Sequence, residues 1–237
     1  MSIKNISSEI TIGGATGPIG QYPSHILLCV NTPWYDFSGP LVAVWSANPS
    51  QDGELVFSLI YGTYAIMADR GGAFGEPHGD VLVDPGYNLN DMGRTDKWTW
   101  IWLHRDSLSL RGFRVHDSPD FTDTRAFNAP QNGVDYVLVG RGLPASAKLA
   151  HVHFYSALTS AQYDSIRAGT LDPTSLPSHR DGFTFATSYA SVKGVLTAAP
   201  LSGVFTFDAD NPVVSTSGGG GTSVTPGVRT YRSSMGW

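Results

Sequence analysis

HVHFYSALTSAQYDSIRAG (151–169) decides how the chain is read. Its first five residues alternate: Val152 and Phe154 are apolar, and His151 and His153 fall together on the opposite face. That alternation predicts a strand. Eight residues on the pattern changes period. Thr159 and Gln162 match a capping box, in which a threonine hydroxyl and a glutamine side chain satisfy each other's free backbone N–H groups. Tyr163 and Ile166 share one helical face, and Gly169 supplies the left-handed stop. The stretch therefore predicts a strand running into a two-turn helix against a sheet edge or corner.

Working outward, strand signals recur between Gly-, Pro- and Asn-containing breaks. Upstream lie HILLCVNT (25–32), GPLVAVWSAN (39–48), GELVFSLIYG (53–62), TYAIMADRGG (63–72), GDVLVDPG (79–86), KWTWIWLHRD (97–106) and SLSLRGFRVH (107–116). DYVLVGRG (135–142), LAHVHFYS (149–156), DGFTFATSYA (181–190), KGVLTAAP (193–200) and SGVFTFDAD (202–210) complete about a dozen. In WTWIW the alternation puts Trp98, Trp100 and Trp102 on one face and Thr99 and Ile101 on the other. RDSLSLR reads as a hairpin with Arg105 and Asp106 near its turn. Many short strands and one helix predict an all-β protein, a two-sheet antiparallel jelly-roll sandwich over residues 1–211. The composition agrees: 11% aromatic and 27 glycines, with only 15% charged residues, is neither helical nor disordered in kind.

Two pieces in order, KWTWIWLHRDSLSLRGFRVH (97–116) and DYVLVGRGLPASAKLAHVHFYSALTSAQYDSIRAG (135–169), resemble the laminin G-like members of the concanavalin A-like lectin/glucanase superfamily. There a tryptophan-led strand and hairpin precede a strand of the type acidic-x-V-x-I-Y, followed by A-L-S-x-x-E-I. Here Val152, Phe154, Tyr155, Ala157 and Leu158 match. His151 stands at the acidic position, Gln162 where Glu is common, and Asp117-Ser118 where an Asp-Gly is usual. The resemblance implies the concanavalin A-like fold; a lectin-type site is not carried over.

His151 and His153 could offer two imidazoles to a metal, but no HxxE, CxxC or third local histidine completes a set, so they read as residues of a polar or interface face. Glucanase chemistry needs a carboxylate pair on one strand face. The three glutamates, Glu9, Glu54 and Glu76, are far apart, Asp80 and Asp84 flank Leu82 on their face, and Asp208 and Asp210 read as a turn entry. Asp117, Asp120 and Asp123 share a loop that could suit Ca²⁺, with a solvated turn as the preferred reading. Cys29, alone in HILLCV, reads as a buried thiol, although His25 shares its face. No catalytic residue and no cofactor is assigned. Trp34 and Tyr35 in NTPWYDFSG are the candidates for stacking on a sugar.

From Pro212 the composition changes. Residues 212–237 hold two arginines and no acidic residue, and Gly218–Gly221 reads as a flexible tether. Val228, Arg229, Tyr231, Arg232, Met235 and Trp237 read as an adhesive C-terminal arm. The net charge of −5 lacks the basic stripe of a nucleic-acid binder, and no apolar run is long enough for a membrane helix. The opening MSIKNISSEITIGG has no signal-peptide core, so synthesis in a host cytoplasm is expected. Together these predict a non-enzymatic accessory protein of a virus particle, a bacteriophage head decoration (cement) protein or tail-associated protein. It would bind neighbouring capsid or tail subunits in a multi-copy assembly through its arm. The alternative is a lectin-like module that recognises surface glycans.

Overall fold

A computed structural model describes residues 2–4, 10–13, 25–32, 39–45, 54–60, 63–69, 80–83, 94, 96–105, 111–123, 136–139, 146–185, 191–194, 197–200 and 206–212. Among them are fifteen strands and one helix, arranged as two antiparallel sheets. The first sheet contains β1 (Ser2–Lys4), β3 (His25–Asn31), β8 (Trp98–Arg105), β9 (Arg111–Val115), β10 (Phe121–Asp123), β12 (Lys148–Tyr155), β13 (His179–Thr184) and β15 (Thr206–Asp208). Its order is β10-β9-β8-β3-β12-β1-β15, with β13 also on β12. The second sheet runs β14 (Thr197–Pro200), β2 (Ile10–Gly13), β11 (Tyr136–Val139), β4 (Gly39–Trp45), β5 (Glu54–Ile60), β6 (Thr63–Asp69) and β7 (Asp80–Val83). This is the two-sheet jelly-roll sandwich that the alternation predicts. Three short strands, β1, β2 and β10, were not among the predicted ones.

β12 is the hinge of the first sheet. Along one edge it pairs β3 throughout, Asn31 to His25. Its other edge is divided: Lys148 and Leu149 pair β1, and His151 to Tyr155 pair β13. The pairing with β3 shifts between Leu149 and His151, which keeps Lys148 on the same face as His151 despite their odd separation. Ile26, Leu28, Ile101, Leu103, Val152 and Phe154 fill the inner face, all at most 2% exposed.

The other face of the sheet is packed too. Leu27, Cys29, Trp100, Trp102 and Tyr155 form a cluster with Leu158, Tyr163 and Ile166, the last two from α1 (Ser160–Arg167). The predicted capping box is present: Thr159 N donates to Gln162 Oε1 at 2.9 Å, and Gln162 N donates to Thr159 Oγ1 at 3.3 Å. Gly169 (φ 70°) closes the helix in a Schellman arrangement, with its N–H on Ile166 O and that of Thr170 on Ser165 O. No helix among the described residues is long and apolar enough to cross a membrane.

Candidate functional site

Register builds the helix-bearing face of the sheet row by row. On β3 and β8, His25 lies opposite His104, Leu27 opposite Trp102, Cys29 opposite Trp100, and Asn31 opposite Trp98. On β12, Tyr155, His153, His151 and Lys148 extend the same rows. One face thus carries four histidines and three tryptophans on adjacent strands, and β13 adds His179 beside Tyr155.

α1 is stapled to this face by Tyr163. Its hydroxyl donates toward His116 O at 2.9 Å and Trp100 O at 3.0 Å, and its ring stacks on Trp102 at 5.5 Å. The Arg114 guanidinium lies 4.9 Å from the ring centroid and also meets Asp164 of α1 at 3.1 Å. His116 takes up the left-handed region (φ 52°), so the phenol anchors a strained carbonyl. Burial, seconded by Arg94, lowers the His116 imidazole to about 4.

Three imidazoles form a chain. His179 Nε2 faces His153 Nδ1 at 3.2 Å, and His153 Nε2 faces His151 Nδ1 at 3.4 Å. Thr184 Oγ1 also reaches His151 Nδ1 at 3.3 Å, and Trp100 stacks on His151 at 5.3 Å. The outer nitrogens, His151 Nε2 and His179 Nδ1, are buried without a hydrogen-bond partner. A glycine makes room for the central ring: a Cβ on Gly182 would stand 2.3 Å from His153 Nδ1. Burial lowers His151 and His179 to about 4 and places His153 well below the ordinary histidine range. The pair expected on a polar or interface face is therefore buried, 2% and 0% exposed, because that face is itself a packed layer. No group of three or more ligating side chains suited to a metal occurs among the described residues.

At one end the same face opens. Trp98 is half-buried, and its Nε1 donates to Asp210 Oδ1 at 3.2 Å. Lys148 Nζ meets Asp210 Oδ2 at 3.0 Å and Asp208 Oδ1 at 3.5 Å. The hydrogen bond from Lys148 holds the Asp210 carboxyl below its ordinary value, and the same bond raises the lysine. Asn31, between Trp98 and Lys148 in the row, donates to Asp96 O at 3.3 Å. With the Asp210 side chain 45% exposed and that of Lys148 25% exposed, the patch offers an indole plate ringed by an amide, an ammonium and two carboxylates. Such a set can stack on the C–H face of a pyranose and bond its hydroxyls.

Trp34, Tyr35 and the arm residues Val228, Arg229, Tyr231, Arg232, Met235 and Trp237 lie outside the described residues, as does Asp84. Asp120 bonds His104 Nε2 at 2.8 Å, which ties it to β8. Cys29 is fully buried and burial raises its thiol far up, while Trp102 Nε1 donates to His25 Nδ1 at 3.1 Å, so the histidine serves the indole and not the thiol. Asp208 and Asp210 do form a turn, with Asp210 N on Asp208 Oδ1 at 2.9 Å. Their second role, bracing Trp98 and Lys148, was missed; the partners are 112 and 62 residues away in sequence.

No protein-family model matches the sequence, and neither does any curated protein. Solved structures do share the fold. A candidate carbohydrate-binding protein from Bacteroides ovatus superposes with a TM-score of 0.51 at 12% identity, over 87% of this chain and 60% of that one. The chain thus spans about 60% of that protein's length. A SAP-like pentraxin from Limulus polyphemus follows at TM-score 0.45 and 12% identity, covering 70% of this chain and 81% of that one. The CBM40 of Ruminococcus gnavus IT-sialidase, solved with α2,3-sialyllactose, gives 0.38 and 15%, covering 62% and 82%. With the sheet order above, the first of these shows that the chain has an antiparallel β-sandwich jelly-roll fold.

Proposed function

We propose that this chain is a non-catalytic glycan-binding module whose contact surface is the open end of the helix-bearing face. The observation that carries the reading is Trp98: a half-buried indole fixed by Asp210, in a row with Asn31 and Lys148, on a fold shared with a candidate carbohydrate-binding protein. Fold alone does not choose a ligand. The fixed aromatic plate with hydrogen-bonding groups around it is what favours a sugar. A glycan array, run with and without Ca²⁺, followed by calorimetry on the best ligand, tests it. Saturable binding that falls at least tenfold in Trp98→Ala, with the far-UV spectrum unchanged, is expected. An array without saturable ligands, or a ligand indifferent to Trp98→Ala, overturns the reading.

An accessory role on a virus particle is a second proposal, resting on the composition of the tail: the Gly218–Gly221 tether and the apolar and basic residues beyond it. Such a particle could carry the module as a decoration or tail component. Truncation after Pro212 tests the arm, and assembly at undiminished affinity would refute its role.

A further inference from the structure

We propose that the His151–His153–His179 chain is an acid-sensitive latch that holds the edge strand β13 to the sheet and releases it when the chain takes up protons. The latch stands independently of glycan binding. Its geometry is that of a single file of imidazoles crossing from β12 to β13: His151 and His153 sit on one strand and His179 on the other. Two proton arrangements satisfy the file. Either each ring donates toward His151, leaving an N–H at His151 Nε2 and a bare lone pair at His179 Nδ1, or each donates the other way. In both, every internal contact is one donor facing one acceptor. In both, the only basic site left is an end nitrogen that is buried and has no partner.

An added proton therefore has nowhere satisfied to go. A second one puts like charges on rings whose facing nitrogens are 3.2 Å apart across the strand pair. The surroundings are mixed. Lys193 opposes the new charge; Asp172 and Asp181 favour it. Asp181 is already committed to the N–H groups of Gly182 and Lys193, at 2.7 and 2.9 Å, and Lys193 Nζ donates to His179 O. From the remaining neighbours come Tyr155 (ring centroids 5.2 Å from His179 and 6.4 Å from His153), Cys29 across from His151, and Arg180 on β13 itself. The phenol and the thiol are both pushed up by burial and stay neutral. Opening relieves the conflict but withdraws Phe183, fully buried opposite Val152, so it stays a minor state until protons drive it. Among the described residues β13 pairs no strand but β12, Gly182 offers no side chain opposite His153, and residues 191–194 are tied to β13, through Val192 N on Gly182 O, so they can leave with it.

The sign follows from linkage. Folded imidazoles lie below their ordinary value, His151 and His179 at about 4 against 6.5, so the open form binds more protons between those values. The closed form holds its full advantage above about pH 6.5 and loses it progressively toward pH 4. For each histidine that regains its ordinary value on opening, the opening constant rises about 20-fold between pH 7 and pH 5.

Native-state hydrogen exchange on the whole chain, corrected for intrinsic exchange, reads this directly. Protection of the Phe183 and Phe185 amides, the second of which donates to Ala150 O on β12, is expected to fall at least 20-fold from pH 7 to pH 5. The histidine-free β5 (Glu54–Ile60) should change less than threefold. Loss of the same size in β5, or none in β13, overturns the latch. His179→Gln keeps a donor and an acceptor but cannot charge, so the fall in β13 should shrink several-fold; a fall as large as in the parent overturns the proposal. ¹⁵N signals of the histidine rings in the unaltered chain give a second test that needs no variant. Proton uptake by these rings is expected in the pH interval where β13 loses protection, and uptake with β13 still protected refutes the latch.

Discussion

Replacing Tyr163 by phenylalanine isolates the hydroxyl that fastens α1 to the sheet. The ring stays, and with it the stacking on Trp102 at 5.5 Å and the Arg114 guanidinium at 4.9 Å. What goes is a buried donor shared between His116 O and Trp100 O, at 2.9 and 3.0 Å. The two carbonyls are not equally harmed. Trp100 O keeps the His116 N–H at 2.7 Å, whereas His116 O, on a backbone already in the left-handed region, loses the phenol bond. One net hydrogen bond is worth about 1 kcal/mol, and a carbonyl left unsatisfied adds to it, so Tyr163→Phe should cost about 1–2 kcal/mol. Tyr163→Ala removes the ring as well, leaves a cavity between Trp102 and Ile166, and should cost about 3–5 kcal/mol. In a chain of this size each kcal/mol lowers Tm by about 2–4 °C. Urea unfolding followed by tryptophan fluorescence measures both variants against the parent. An unchanged midpoint in Tyr163→Phe would remove the hydroxyl from the account. A loss below about 1 kcal/mol in Tyr163→Ala would show that the helix is not held by this residue at all.

Gly182→Ala should be among the most damaging single substitutions, about 3 kcal/mol or more, because its Cβ would meet Val152 O at 2.6 Å and His153 Cα at 2.9 Å, backbone atoms that cannot swing aside. Gly194→Ala is the contrast: nothing lies within 4 Å of its Cβ, so only the φ of 73° matters and thermal unfolding should register about 1 kcal/mol. Thr159→Ala removes one arm of the capping box and should cost about 1 kcal/mol in the same assay, with Ser at that position restoring most of it. Cys29, fully buried with its thiol pushed up, should react with a disulfide reagent at pH 8 only after denaturant is added; rapid labelling of the native chain would contradict its placement.

Much of this arrangement is legible in sequence, and what is not has a common cause. A period of two reveals which residues share a face, so Trp98, Trp100 and Trp102 on one side, and His151 with His153, follow from counting. The capping residues and Gly169 likewise act within a few positions of each other, and all are found where their spacing puts them. Alternation says nothing about what lands on a face. A histidine is compatible with solvent or with a packed layer, and the choice depends on α1 and the 170–178 segment returning across β3, β8 and β12. Tyr163 reaches a carbonyl 63 residues away, and Trp98 a carboxylate 112 residues away. These contacts are set by loop closure and strand order, which no local pattern encodes. Glycine is the exception that could have served as a long-range clue. Gly112 stands opposite His104, where a Cβ would lie 2.8 Å from its Nε2, and Gly182 stands opposite His153. Twice, a strand glycine faces a buried imidazole on its neighbour. A glycine in an otherwise ordinary strand can mark a close approach, and RGFRV and HRDGFT each hold one that faces a buried imidazole.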